Sequence, residues 1–332
     1  MHTKTTQVIH KPAEWEAFSF TLAKKRIMRG HKRKLPADTF QHIYIRSINQ
    51  FVIFYSMEDR LVYYTVFAVM TKRYRVTVLA LALMFDHIHH LIKTISRELY
   101  SKFIGVTTST FVMAYNRDSG RKGPLFHKAY GNSAKRRDKD IRNCIAYNYN
   151  NSVEKLLFNR AEQDRWNLLA YIDNPHPFSK EICRKTASKK LLKSMDAAIL
   201  FHGRNEYLDY PVVRRLFEGL VPEEREQLLD FIIYLYLPID KESLLGFYKS
   251  YDAMVLAINS NTGKEYDMNE IYDPESHQDF VRMLNLTQRS SFAADPRSII
   301  LAPDEQKWKI VKSFMDRAGA SLNHAKRFLH LE

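Results

Sequence analysis

Three histidines fall within four residues of an apolar run, "LMFDHIHHLIK" at 83–93. Extended backbone turns successive side chains to opposite faces, so His87 and His89 stand side by side with Leu91, while His90 shares the other face with Ile88 and Ile92. Two imidazoles at that spacing on a rigid strand can ligate one divalent cation if a third ligand comes from elsewhere. An H-x-H pair also fits a purely structural role. What raises its weight is "IAYNYNNSVEK" at 145–155, where Tyr147 and Asn151 are four residues apart and project from one helix face. The Asn151 amide oxygen could complete a His-His-Asn site, and the same face would hold the Tyr147 phenol beside the ion. A phenol, with a pKa near 10, is a poor nucleophile unless something lowers the barrier. A cation on the scissile phosphate does so by stabilising the developing charge. Covalent attack by tyrosine would then split transesterification into two reversible steps.

Periodicity supplies the elements that would position these groups. The alternation of 42–48 predicts a strand. A helix follows over 56–74, with Ser56 as its cap and acidic residues in its first turn. The β-branched run 75–84 and the histidine segment 87–94 read as strands joined by a tight hairpin. A helix is expected at 96–120, a strand at 123–133 and a helix at 138–151. The order β-α-β-β-α-β-α is that of an α+β fold, a ferredoxin-like split βαβ antiparallel sheet with an added helix. Beyond 160 the pattern changes to helices, expected near 209–220, 222–236, 242–258, 274–285, 303–318 and 321–331. Residues 174–193, rich in Pro and then in Lys, read as the joining region. The expected organisation is a basic arm at 1–37, a sheet domain at 38–175 and an all-helical domain at 176–332, with a helix-turn-helix over 303–331.

Three ordered segments, "LALMFDHIHHLI", "GPLFHKAY" and "IAYNYNNSV", resemble the signatures of the single-tyrosine HUH transposases, most of all the REP-associated tyrosine transposases. The likeness spans roughly 38–160. It implies that His87 and His89 are metal ligands with Asn151 as the third, that Tyr147 becomes linked to a 5′-phosphate, and that the ion is Mg²⁺ or Mn²⁺. It further implies cleavage and rejoining of single-stranded DNA next to hairpins. Ligand chemistry by itself would also allow zinc. Related short enzymes form dimers, so a homodimer is a further expectation. The sequence departs from the family pattern at Ser152, where proline is usual, and at Asp86 and His90. Asp86 is suited to hydrogen-bond a ligating imidazole from behind. His90 points to the presumed core face and reads as a hydrogen-bonded structural residue.

Charge agrees with a polyanionic partner. The chain carries a formal +14, and residues 1–160 hold 28 Lys and Arg against 11 Asp and Glu, whereas residues 161–332 hold 23 against 26. A half-molecule so basic attracts nucleic acid, because each neutralised phosphate releases counterions. The dense runs name the expected DNA-binding residues: Lys24, Lys25, Arg26, Lys32, Arg33 and Lys34 in the arm, and Lys135, Arg136 and Arg137 before the tyrosine helix. Lys326 and Arg327 join them on the last helix. The two cysteines form no metal or disulfide pattern, and neither a signal peptide nor a long apolar run occurs, so a reduced cytoplasmic location with no membrane partner is expected. Two other readings compete. One is a domesticated regulator that binds DNA without cutting it. The other is an RNA-binding sheet, which would require stacking aromatics where this chain carries histidines.

Overall fold

The structure, a computed structural model, describes residues 36–260, 274–289 and 296–332. The expected basic arm, with Lys24, Lys25, Arg26, Lys32, Arg33 and Lys34, lies outside the described residues. Four strands, β1 (Phe40–Arg46), β2 (Thr77–Leu83), β3 (His87–Lys93) and β4 (Gly131–Lys135), form an antiparallel sheet in the order β2-β3-β1-β4. Helix α1 (Met57–Tyr74) joins β1 to β2, α2 (Arg97–Ser119) joins β3 to β4, and α3 (Asp138–Glu154) follows β4. The start of α1 is set by a capping box: the Ser56 hydroxyl accepts from the Asp59 amide and the Asp59 carboxylate accepts from the Ser56 amide. The β1–β3 register sets Tyr44 opposite His89, Arg46 opposite His87 and Ile43 opposite His90. One face therefore carries His42, Tyr44, Arg46, His87 and His89, and the other carries Ile43, Ile45, Ile88 and His90. Helix α3 crosses the histidine face, and α1 covers the other.

The fourth strand begins later than the expected 123–133. Phe126 bridges Ser47 and the His127 amide donates to the Arg46 carbonyl at 3.0 Å, but residues 128–130 leave the ladder, which resumes at Gly131. The reason lies across the ladder. Gly131 pairs with Tyr44, and a Cβ built there would fall inside the Tyr44 ring.

The second half is helical: α4 (Lys189–Gly203), α5 (Tyr210–Phe217), α6 (Pro222–Leu235), α7 (Lys241–Leu245), α8 (Tyr251–Ser260), α9 (Pro274–Arg289), α10 (Asp304–Ala318) and α11 (Leu322–Leu329). Helix α4 occupies part of the expected joining region. Its lysines are one face of an amphipathic helix capped by Ser188, whose other face buries Leu191, Met195 and Ala198. The single helix expected at 242–258 is two, because Ser250 accepts from the Ala253 amide and starts a new one. Backbone bonds tie this half to the sheet: the Asp240 amide donates to the Val78 carbonyl at 2.9 Å and the Val52 amide to the Arg327 carbonyl at 3.2 Å. No helix among the described residues is long and apolar enough to cross a membrane.

A buried charge cluster fixes the start of α1. The Arg297 guanidinium, 2% exposed, lies 3.3 Å from Asp59 and 2.6 Å from Asp118, over the Tyr210 ring at 4.4 Å. Asp59 also accepts from the Tyr210 hydroxyl, and Arg214 forks onto Asp118. Arg297→Met would leave Asp59 without a cationic partner in the interior while Asp118 keeps Arg214, so it should lower the unfolding free energy in urea by about 3–5 kcal/mol. Arg297→Lys should restore only part of this, since an ammonium cannot reproduce the planar fork.

On the core face, His90 meets the Tyr63 hydroxyl at 3.0 Å and stacks on Phe67. Burial pushes its pKa down to about 3. A depressed value means that its stabilising contribution is complete above about pH 6.5 and is lost as pH falls from there toward 3. At pH 5 the loss from this one group is about 2 kcal/mol. Urea unfolding of His90→Gln, which keeps a partner for Tyr63 but cannot titrate, should fall less between pH 7 and pH 5 than the parent by about that amount. Equal slopes would show that His90 is not buried as a neutral ring.

Candidate functional site

Both histidines of the H-x-H pair have one ring nitrogen held and the other free. The Asp86 carboxylate accepts from His87 Nδ1 at 2.6 Å. His89 Nδ1 meets His42 Nε2 at 3.1 Å, with the two rings stacked. The Nε2 atoms of His87 and His89 are buried without a hydrogen-bond partner. That is how ligating histidines are held: an outer partner fixes tautomer and ring orientation, leaving the opposite lone pair toward an ion. The two rings stand perpendicular, their centroids 4.9 Å apart. Burial, reinforced by His87, His90, Lys155 and Arg46, holds His89 well below the usual imidazole range. At neutral pH its ring is uncharged and can donate a lone pair.

Helix α3 brings its residues onto this pair at intervals of one turn. The Tyr147 ring lies edge-on to His89 and His42, with centroids 5.4 Å and 5.6 Å away. Asn151, one turn on, is buried, and its Oδ1 has no hydrogen-bond partner. Lys155, a further turn on, is also buried, and its ammonium depresses both His89 and His277. The stripe thus presents a phenol, an amide oxygen and a cation to one sheet face. Cys144, on the same helix, is no competing nucleophile: burial pushes its thiol up to about 12. Helix α3 continues through Ser152 to Glu154 without a break.

Asp86 does more than hold His87. Burial alone would raise its pKa, but His87, His277 and Arg327 hold the carboxyl well below the usual range. Its second oxygen accepts from Arg327 at 3.1 Å, and His277 Nε2 from α9 stands 3.6 Å from the first. Arg327 also reaches Gln50 and is mostly buried. Arg327, one of the expected DNA-binding residues, thus bonds both Asp86 and the loop before α1. Its neighbour Lys326 is half-buried on α11. Lys135 ends β4, Arg136 is exposed, and Arg137 precedes α3 with its guanidinium forked onto Asp140. These three basic residues lie in the chain immediately before α3.

Three participants escaped the sequence reading. His42 sits in the alternation of β1, but only the β1–β3 pairing reveals that it faces His89. Lys155 continues the i, i+4 spacing of Tyr147 and Asn151 by one further turn, a signal present in the sequence. His277 comes from 188 residues downstream of His89, and no local pattern marks it.

The donor set fits a divalent cation: two imidazole nitrogens and one amide oxygen, all buried, all without a hydrogen-bond partner. Among solved structures, a chain described as "Structure of the REP associates tyrosine transposase bound to a REP hairpin" is similar at 13% identity and a TM-score of 0.38, covering 49% of this chain and 98% of that one. No protein-family model and no curated protein matches. A likeness at that level assigns neither family nor activity.

Proposed function

We propose that this chain is a metal-dependent DNA strand transferase that cleaves and rejoins single-stranded DNA near hairpins through Tyr147. The observation that carries the reading is the Tyr147 ring standing edge-on to His89 and His42, on the helix that also carries Asn151. The strand order β2-β3-β1-β4 agrees with a ferredoxin-like sheet. His87, His89 and Asn151 would hold the ion, with Asp86 and His42 orienting the two rings. A bound divalent cation would supply Lewis-acid stabilisation of the scissile phosphate. Tyr147 would attack the phosphorus: its oxygen–phosphorus bond forms as the bond to the 3′ oxygen breaks, the phenol loses its proton and the departing oxygen gains one. The energy of the phosphodiester is kept in the tyrosine linkage, so attack by a 3′-hydroxyl reverses the step without ATP. Arg136 and its neighbours would guide the strand.

A second reading is favoured by one observation. Tyr147 is 5% exposed and Asn151 and His89 are buried, so the groups proposed for chemistry are closed off from a DNA strand. A regulator that binds DNA on its basic surface and never opens this site has the same geometry.

The two readings separate on a denaturing gel. With Mn²⁺ and an oligonucleotide carrying a hairpin and single-stranded flank, the transferase forms a covalent protein–DNA adduct that Tyr147→Phe loses entirely and His89→Ala reduces by about 10–100-fold. An adduct of equal yield in Tyr147→Phe removes Tyr147 as nucleophile. Binding without any adduct, across hairpins and both ions, leaves the regulator. In either case Arg136→Ala should weaken single-strand binding and lower the slope of log K against log salt by about 0.7. An unchanged slope would place the strand elsewhere.

A further inference from the structure

We infer that Tyr44 and Arg46, side by side on β1, position the DNA strand: the Tyr44 ring is a stacking platform for one base near the scissile phosphate, and Arg46 takes the adjoining phosphate. The inference rests on reading this sheet face as the site of DNA chemistry and names the residues that would hold the strand against it.

The β1–β3 register sets Tyr44 opposite His89 and Arg46 opposite His87, so both rise from the face that carries the histidine pair. The Tyr44 ring centroid is 6.1 Å from that of His42, whose own ring meets Tyr147 edge-on at 5.6 Å. One imidazole therefore separates Tyr44 from the phenol proposed as nucleophile. His89, Tyr147 and Asn151 are buried, whereas Tyr44 and Arg46 are half-buried. Helix α3 reaches across to β2, where the Tyr149 hydroxyl donates to the Leu79 carbonyl at 2.8 Å. On the β4 side the same face continues through Gly131, exposed Ser133 and half-buried Lys135. That side is where a strand can reach the face from solvent.

Two features of this corner suit a nucleotide. The first is the ring's seat. A Cβ at Gly131 would fall inside the Tyr44 ring, so the glycine lets the ring lie over the backbone of the edge strand. A ring seated in advance loses little freedom when a base stacks on it. The second is the charge. The Arg46 guanidinium stands 5.2 Å from the Tyr44 ring centroid, and its field helps hold His89 neutral. A cation there works against a divalent ion at the histidine pair, and an anion between them turns that repulsion into attraction. The β1–β4 register ends at the Tyr44–Gly131 pair, short of Arg46, which leaves the ladder open at the charged end of the platform. Residues two apart on a strand are about 7 Å apart, a span that one nucleotide bridges from base to phosphate.

The test reads binding and not chemistry. The full chain carrying Tyr147→Phe, in EDTA, is titrated by fluorescence anisotropy against oligonucleotides with a hairpin and single-stranded flank, each with one base removed. One abasic position should weaken binding by about 5–150-fold, the worth of one stacked base. Adding Tyr44→Ala should cost about as much on the intact oligonucleotide and should abolish the penalty at that position, while Tyr44→Phe should behave as tyrosine. Arg46→Ala should lower the slope of log K against log salt by about 0.7 and leave the abasic pattern in place. Circular dichroism checks folding, and Tyr44→Leu serves if the alanine variant does not fold. If Tyr44→Ala binds like its background, or keeps the abasic penalty, the ring is not a platform, and an adduct formed by the chain with Tyr147 intact still upholds the transferase. A Tyr44-dependent penalty with no adduct from that chain upholds the platform and removes the transferase. An unchanged salt slope removes Arg46 as a phosphate contact, and a chain that binds none of these oligonucleotides removes the platform outright.

Discussion

One buried carboxylate, that of Asp86, couples the two ends of this chain. It sits in the turn between β2 and β3, 5% exposed, and meets the imidazole of the next residue, a guanidinium from α11 and the edge of an imidazole from α9. An isolated carboxylate in that position would be costly and would take up a proton; the hydrogen bond from His87 and the Arg327 guanidinium keep it charged. Each of those groups is thereby fixed. His87 has its tautomer set, and Arg327 draws α11 down onto the loop before α1, where the Tyr55 hydroxyl donates to the Phe328 carbonyl and His330 to that of Val52. The C-terminal helices are consequently part of the wall of the histidine centre.

A second constraint follows from how dry that wall is. Burial leads the causes that push His89, His90 and His277 below the normal imidazole range, so all three are neutral at physiological pH. Neutral rings have lone pairs. His90, on the opposite face of β3, meets a tyrosine hydroxyl through Nε2 and leaves Nδ1 idle in the core, while His87, His89 and His277 leave Nε2 idle. The same strand therefore carries a structural histidine and two candidate ligands, separated by the two-residue period of the pleat alone. Lys155, Arg46 and Arg327 add positive charge near this centre, and that charge both suppresses imidazolium formation and suits an anionic substrate.

Much of this was legible from local pattern. Ser56 and Asp59 marked the start of α1, the H-x-H alternation assigned faces on β3, and the four-residue spacing of Tyr147 and Asn151 placed both on one side of α3. Each of these signals is contained within one element. What could not be read depends on contacts between distant elements. His42 becomes a partner of His89 only through strand register, and His277 and Arg327 reach Asp86 from 191 and 241 residues away. The late start of β4 was hidden for a related reason: Gly131 matters because of the Tyr44 ring across the ladder, which no stretch around 131 reveals. Helix α4 was obscured differently. Its lysines gave the look of a linker, and the apolar face at Leu191, Met195 and Ala198 decided the matter.

Dryness and access pull against each other at this centre. Lone pairs on neutral imidazoles, and strong electrostatics at a phosphate, both require that water be kept out. A DNA strand requires that Tyr147 be reachable, and at 5% exposure it is not. The elements that close the site are identifiable. Gln278 of α9 donates to the Leu156 carbonyl just beyond α3, His277 stands against Asp86, and Arg327 of α11 bonds its other oxygen. These polar contacts lie beside apolar ones, since Phe280 and Met283 of α9 and Phe328 and Leu329 of α11 belong to the same continuous core as α1, α2 and the sheet.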